Sequence, residues 1–128
     1  MRRIRLFRRI FKFHGFKESL MLALKGLGYL FVYHRNMRII FLCGIAAFLA
    51  GVYFRLSGIA LVALCVTITL VFMAEMFNTA IELIIDMSVR KYHPLIKLVK
   101  DISAAVVLIA SLNSIGVGII LFWRHVFK

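Results

Sequence analysis

The chain contains five carboxylates, Glu18, Glu75, Glu82, Asp86 and Asp101, and four of them fall between residues 75 and 101. The stretch Ala74-Glu75-Met76-Phe77-Asn78-Thr79-Ala80-Ile81-Glu82-Leu83-Ile84-Ile85-Asp86 is where acid–base or metal chemistry can be written. On a helix turning ~100° per residue, Asn78 lies about −60° from Glu75, Glu82 about −20° and Asp86 about +20°. The four polar groups then share one stripe under about a quarter-turn wide. Met76, Ile81, Leu83 and Ile84 take the other faces, which suit lipid or a neighbouring helix. Like charges one and two turns apart repel. A divalent cation, or a lysine from elsewhere, relieves that repulsion. Oxygen ligands without a Cys or His partner suit a hard cation such as Mg²⁺, which usually arrives with phosphates. Lys100 and Asp101 supply further charge at the start of a later apolar run. Carboxylates, an amide and cations at one interface suit phosphoryl transfer, where positioning and charge neutralisation do most of the catalysis.

The elements that must hold this stripe are membrane helices. Of 128 residues, 63% are hydrophobic, against roughly 45–50% in soluble domains, and the mean hydropathy is +0.98. A soluble protein of this size has too little interior to hide that surface. The composition excludes a disordered chain, a disulfide scaffold and an ordinary soluble enzyme. Ile39–Phe54 is an uncharged run between Arg38 and Arg55, slightly short of the ~20 residues of a typical span, but its flanking arginines can snorkel. A second run starts near Leu56, is uncharged through Ala74, and keeps helical character to about Met87. The third is Ile102–Trp123, ending in an interfacial tryptophan. We therefore expect an all-α protein with spans at about 38–55, 56–87 and 101–123, behind a basic leader at 1–15. As one helix, the second run is ~48 Å long, beyond the bilayer core, so its second half must emerge into water or be lined by protein.

The 17 Lys and Arg agree with three spans. Ten precede the first span, Arg55 stands alone after it, Arg90, Lys91, Lys97 and Lys100 precede the third, and Arg124 and Lys128 follow it. The positive-inside rule places the N-terminus and the loop 88–100 in the cytoplasm. The net charge of +12 is explained by topology and by attraction to anionic lipid, rather than by nucleic acid. No signal peptide is expected, since the first long apolar run begins nearly forty residues in. Phe16–His34, with Leu20, Leu24, Leu27, Leu30 and Phe31 at three- and four-residue steps, reads as an amphipathic helix lying in the membrane surface; the alternative for the same segment is a cytoplasmic helix packed on the bundle.

A carboxylate at membrane depth is costly unless it has a function. The competing reading is a polar seam that joins helices. Asn78 and Thr79 alone suit a seam, but two or three acids on one face exceed what a seam needs. No phosphate-loop, zinc-protease, CxxC or nucleophile-elbow motif occurs. Gly26/Gly28 and Gly116/Gly118 read as permitting close helix packing. Cys43 and Cys65 read as small core residues, His14, His34, His93 and His125 as interfacial or capping groups, and Pro94 as a helix-initiation signal.

The string Glu75-Met-Phe-Asn78-Thr79-Ala80-Ile81-Glu82 with Asp86, then Tyr92-His93-Pro94-Leu95 and Lys100-Asp101, closely resembles the bacterial membrane-integral diacylglycerol kinase/undecaprenol kinase family. The resemblance covers roughly Lys25 to the end, and excludes the leader. It implies a three-span homotrimer that uses Mg²⁺ and ATP to phosphorylate a lipid alcohol at the cytoplasmic face. Glu75 matches the general base that takes the proton from the lipid hydroxyl, and Asn78 supports that geometry. Glu82 matches a Mg²⁺ ligand beside the ATP phosphates. Lys91, Tyr92, His93, Lys100 and Asp101 match nucleotide-binding positions, and Asp86 and Arg38 remain further stripe or substrate candidates. Where the family usually carries a metal-holding glutamate, this chain has His34, before Arg35-Asn36. A neutral imidazole can ligate metal but matches Mg²⁺ poorly. The Tyr-His-Pro-Leu and His-Arg-Asn stretches favour undecaprenol over diacylglycerol. The rival readings are a small proton-coupled exporter, which usually has four spans, and a non-catalytic assembly subunit, which the His34 change keeps open.

Overall fold

The computed structural model describes residues 15–88 and 93–127. Among these residues there are four helices and no strand: α1 (Phe16–Tyr33), α2 (Arg35–Tyr53), α3 (Gly58–Ser88) and α4 (Pro94–Val126). Helices α2, α3 and α4 are each long and apolar enough to cross a membrane. The expected all-α, three-span architecture is borne out. The chain forms two units that divide after His34. The first contains α1. In the second, α3 is central and packs against both α2 and α4.

Local chemistry sets the helix ends. Gly15 precedes α1, its carbonyl accepting from the amides of Glu18 and Ser19 at 2.8 and 3.0 Å, and Glu18 faces the positive end of the helix dipole. His34 is extended, at φ −112° and ψ 108°, and ends α1. Helix α2 stops in a Schellman arrangement: the Arg55 amide donates to the Val52 carbonyl and the Leu56 amide to the Gly51 carbonyl, both at 3.0 Å. That geometry requires a left-handed residue, and Arg55 takes it at φ 54° where glycine is the usual choice. Ser57 then caps α3, its hydroxyl accepting from the Ala60 amide at 3.3 Å. Helix α4 begins with Pro94 in its first turn and His93 as its cap, with Nδ1 accepting from the Leu95 amide at 3.2 Å. The helix therefore starts before the apolar run it carries, and brings Lys97, Lys100 and Asp101 into its first two turns.

Within the chain, close helix packing occurs at Gly44 and Gly51 rather than at the expected pairs. A Cβ at Gly26, Gly28, Gly116 or Gly118 meets nothing within 4 Å. A Cβ at Gly44 falls 2.8 Å from Ile68, and one at Gly51 falls 2.8 Å from Leu64 and 3.3 Å from both Leu56 and Leu61. Gly44 and Gly51 are two turns apart on one face of α2. They let α3 approach closely, which is how membrane helices gain dispersion contacts where no hydrophobic drive acts between them. The buried Thr67 hydroxyl donates to the Ala63 carbonyl at 2.8 Å, so its polar atom is satisfied within its own helix.

Candidate active site

The stripe lies on the second half of α3, and its burial is graded. Glu75 is buried at 6% relative exposure, flanked by buried Ala74 and Thr79. Asn78 is half-buried, and Glu82 and Asp86 are exposed. Glu75 is a buried acid whose carboxylate has no hydrogen-bond partner among the described residues.

Helix α4 supplies the facing side. The Asn78 amide group, Nδ2, donates to Glu82 Oε1 at 3.5 Å, a long contact one helical turn apart. The Ser103 hydroxyl lies 2.7 Å from Asn78 Oδ1 and 2.9 Å from the Lys100 carbonyl. Ser103 is itself buried, at 3% exposure. One turn further along α3, Lys100 donates from Nζ to Asp86 Oδ1 at 2.9 Å in a solvent-accessible ion pair. The structure therefore links Asn78, Glu82 and Ser103 in one hydrogen-bonded group and Asp86 with Lys100 in a second. The lysine that relieves the crowded acids is Lys100, and it reaches Asp86 rather than Glu75.

The remaining sequence candidates are dispersed. Asn78 is engaged with Glu82 and Ser103 and not with Glu75, whose geometry it was expected to support. Asp101 is exposed, next to Lys100 but about 100° around α4 from it. His93 spends Nδ1 on capping α4. His34 ends α1, with its ring 5.9 Å from that of Tyr29, and belongs to the other unit from Glu82. Arg38 is exposed in the first turn of α2. Lys91 and Tyr92 lie outside the described residues. Among the described residues no three His, Cys, Asp or Glu side chains gather closely enough to hold a metal ion by themselves.

Ser103 is the site residue that the sequence reading missed. One signal pointed to it: it follows Lys100 by three residues, so on a helix the two share a face.

Residues 21–122 match the family described as prokaryotic diacylglycerol kinase. Among curated proteins, the chain is 38% identical over 97 residues to a diacylglycerol kinase of Synechocystis sp., covering 75% of this chain and 55% of that protein. It is 35% identical over 85 residues to the diacylglycerol kinase of Escherichia coli K12, covering 64% of this chain and 70% of the relative. It is 32% identical over 88 residues to the undecaprenol kinase of Bacillus subtilis, covering 69% and 72%. The chain thus spans about half the length of the cyanobacterial relative, at 55%, and over two thirds of the other two, at 70% and 72%.

Proposed function

The chain belongs to the prokaryotic diacylglycerol kinase family, and from that premise we propose that it is an ATP-dependent lipid kinase, transferring the γ-phosphate of ATP to the hydroxyl of a membrane lipid alcohol. The observation that carries this reading is the graded stripe on α3. A buried acid, Glu75, shares one helix face with the solvent-accessible acids Glu82 and Asp86. A lipid hydroxyl approaches from the apolar side and a nucleotide from water, so a kinase joining the two needs that gradient.

In the reaction, the Glu75 carboxylate accepts the proton of the lipid hydroxyl as its oxygen bonds to the γ-phosphorus. The bond from that phosphorus to the β–γ bridging oxygen breaks, and ADP leaves. Glu75 is the buried acid of the stripe, and a general base must lie within hydrogen-bond reach of the proton it takes. The exposed, all-oxygen pair Glu82 and Asp86 suits Mg²⁺, which typically takes only one or two protein carboxylates with phosphates and water. Bound there, the ion would neutralise charge on the phosphates. Lys100 is tethered by Asp86 where it can meet a nucleotide phosphate. Lys91, Tyr92, His93 and Asp101 complete the proposed nucleotide set, and His34 and Arg38 stand as a second metal position and a substrate contact.

The acceptor we favour is undecaprenol, on the Tyr92-His93-Pro94-Leu95 stretch. Diacylglycerol is the second reading, favoured by the higher identity to proteins bearing that name. We assign the chain to the cytoplasmic membrane, with the N-terminus and loop 88–100 inside by the positive charge. Helix α1, with Phe16, Leu20 and Leu24 exposed, lies in the surface of that membrane. The active assembly is a homotrimer, checked by the mass of the purified protein in detergent.

The deciding experiment is transfer of labelled γ-phosphate in mixed micelles, with undecaprenol and diacylglycerol offered separately and Glu75→Gln as control. Label in undecaprenol is expected. Label in diacylglycerol alone keeps the mechanism and changes the acceptor. Label in neither, from well-folded protein, overturns the kinase reading.

A further inference from the structure

We propose that Ser103 is a positioning residue of this site, its hydroxyl donating to Asn78 Oδ1 and so holding the amide with Nδ2 toward the Glu82 carboxylate. The inference rests on the kinase reading of the α3 stripe, but its geometry stands apart from that reading. The Ser103 hydroxyl has one proton and two acceptors within reach, Asn78 Oδ1 at 2.7 Å and the Lys100 carbonyl at 2.9 Å. The Lys100 carbonyl already receives a backbone N–H in the ladder of α4, so it is satisfied without the serine. Asn78 Oδ1 has no comparable second donor among the described residues.

The orientation of the amide follows from the charge on its other side. With Oδ1 toward Ser103, Nδ2 donates to Glu82 Oε1. Turned over, Oδ1 would face an ionised carboxylate, and two acceptors would oppose each other. The serine proton must then turn to the Lys100 carbonyl, since its oxygen would be accepting from Nδ2. The three groups therefore reverse together or not at all. Ser103 is itself buried, at 3% exposure, so its hydroxyl is committed to these two acceptors rather than to bulk water. What this holds in place is Glu82, the acid we assign to the nucleotide end. The expected consequence of losing the hydroxyl is weaker nucleotide binding through a loosened Glu82, with lipid binding unaffected.

The test uses the full chain in detergent, with Ser103→Ala, Ser103→Thr, Asn78→Ala and the double variant Ser103→Ala/Asn78→Ala. A non-hydrolysable ATP analogue with Mg²⁺ is titrated, and the concentration giving half the maximal rise in thermal midpoint is read beside KM and kcat. Ser103→Ala is expected to raise the half-maximal concentration and nucleotide KM about tenfold, the effect of one lost hydrogen bond of ordinary strength, with the lipid KM within twofold. Ser103→Thr keeps the hydroxyl and stays within about twofold of wild type. On the Asn78→Ala background the serine change adds less than about twofold, because its route to Glu82 is gone. Unchanged nucleotide binding in Ser103→Ala, equal loss in the threonine variant, or a full tenfold effect without Asn78 each overturns the inference. If wild-type protein neither turns over nor responds to nucleotide, the kinase reading falls instead. The Ser103–Asn78 link is then judged by whether the two single losses of thermal midpoint sum in the double variant; additive losses overturn it.

Discussion

At one end of the α2–α4 unit, Phe54 lies against Phe122 and His125 with ring centroids 6.0 and 5.6 Å apart. Towards the other end, Ser103, Asn78 and Glu82 are joined at 2.7 and 3.5 Å, and Lys100 and Asp86 at 2.9 Å. The aromatic end is held by ring contacts, by a left-handed turn at Arg55 and by the close approach at Gly51. Such contacts are many, small and tolerant of modest change. The polar end is held by a few directed bonds, and removing one partner leaves the next unpaired. With the proposed chemistry at the stripe, stability and chemistry are separated along the bundle. Substitutions at the turn end should change how firmly the protein folds, and substitutions at the stripe should change what it does.

The sharpest way to break that division is Glu75→Gln. Loss of the base should lower kcat by about 10²- to 10⁴-fold, with the thermal midpoint and its rise on adding nucleotide retained. A variant that kept near-normal turnover would remove Glu75 from the reaction. Glu82→Gln should act on nucleotide rather than on the proton, raising its apparent KM by about tenfold or more, as expected of a lost charge-assisted contact. Steady-state kinetics at varied ATP separate the two, because the Glu75 change leaves that KM in place.

Gly51→Ala probes the opposite end. Its new methyl would sit 2.8 Å from Leu64, a residue only 3% exposed that has little room to give way. We expect a loss of about 1–3 kcal/mol in stability from overpacking, measured by thermal or denaturant unfolding in detergent, with KM for ATP unchanged. Arg55→Gly should be smaller and of opposite sign, stabilising by roughly 0.5–1 kcal/mol because glycine takes the left-handed conformation without strain. If that variant were less stable, the turn would owe more to the arginine side chain than to its backbone. Asp86→Asn should have the least effect on folding, since its partner lysine is solvent-accessible. Its signature is a rise in nucleotide KM of less than about tenfold that shrinks as salt is added.

The helices and the stripe were legible in the sequence, because both are local. Uncharged runs of span length set α2, α3 and α4, and a fixed turn of ~100° per residue puts Glu75, Asn78, Glu82 and Asp86 on one face whatever surrounds them. Helix starts were also legible at Pro94, whose ring fixes the backbone. What the stripe faces was decided by the tertiary structure. Lys100 and Asp101 are adjacent in sequence, yet the rotation of α4 about its own axis brings Lys100 to Asp86, leaves Asp101 exposed and buries Ser103 against Asn78. The same holds for the glycines: Gly44 and Gly51 meet α3 while Gly116 and Gly118 meet open space. In water, apolar periodicity marks the inner face of a helix. In a membrane the lipid-facing side is as apolar as the packed side, so the pattern carries no such mark, and the rotation is set only by how the side chains of neighbouring helices fit.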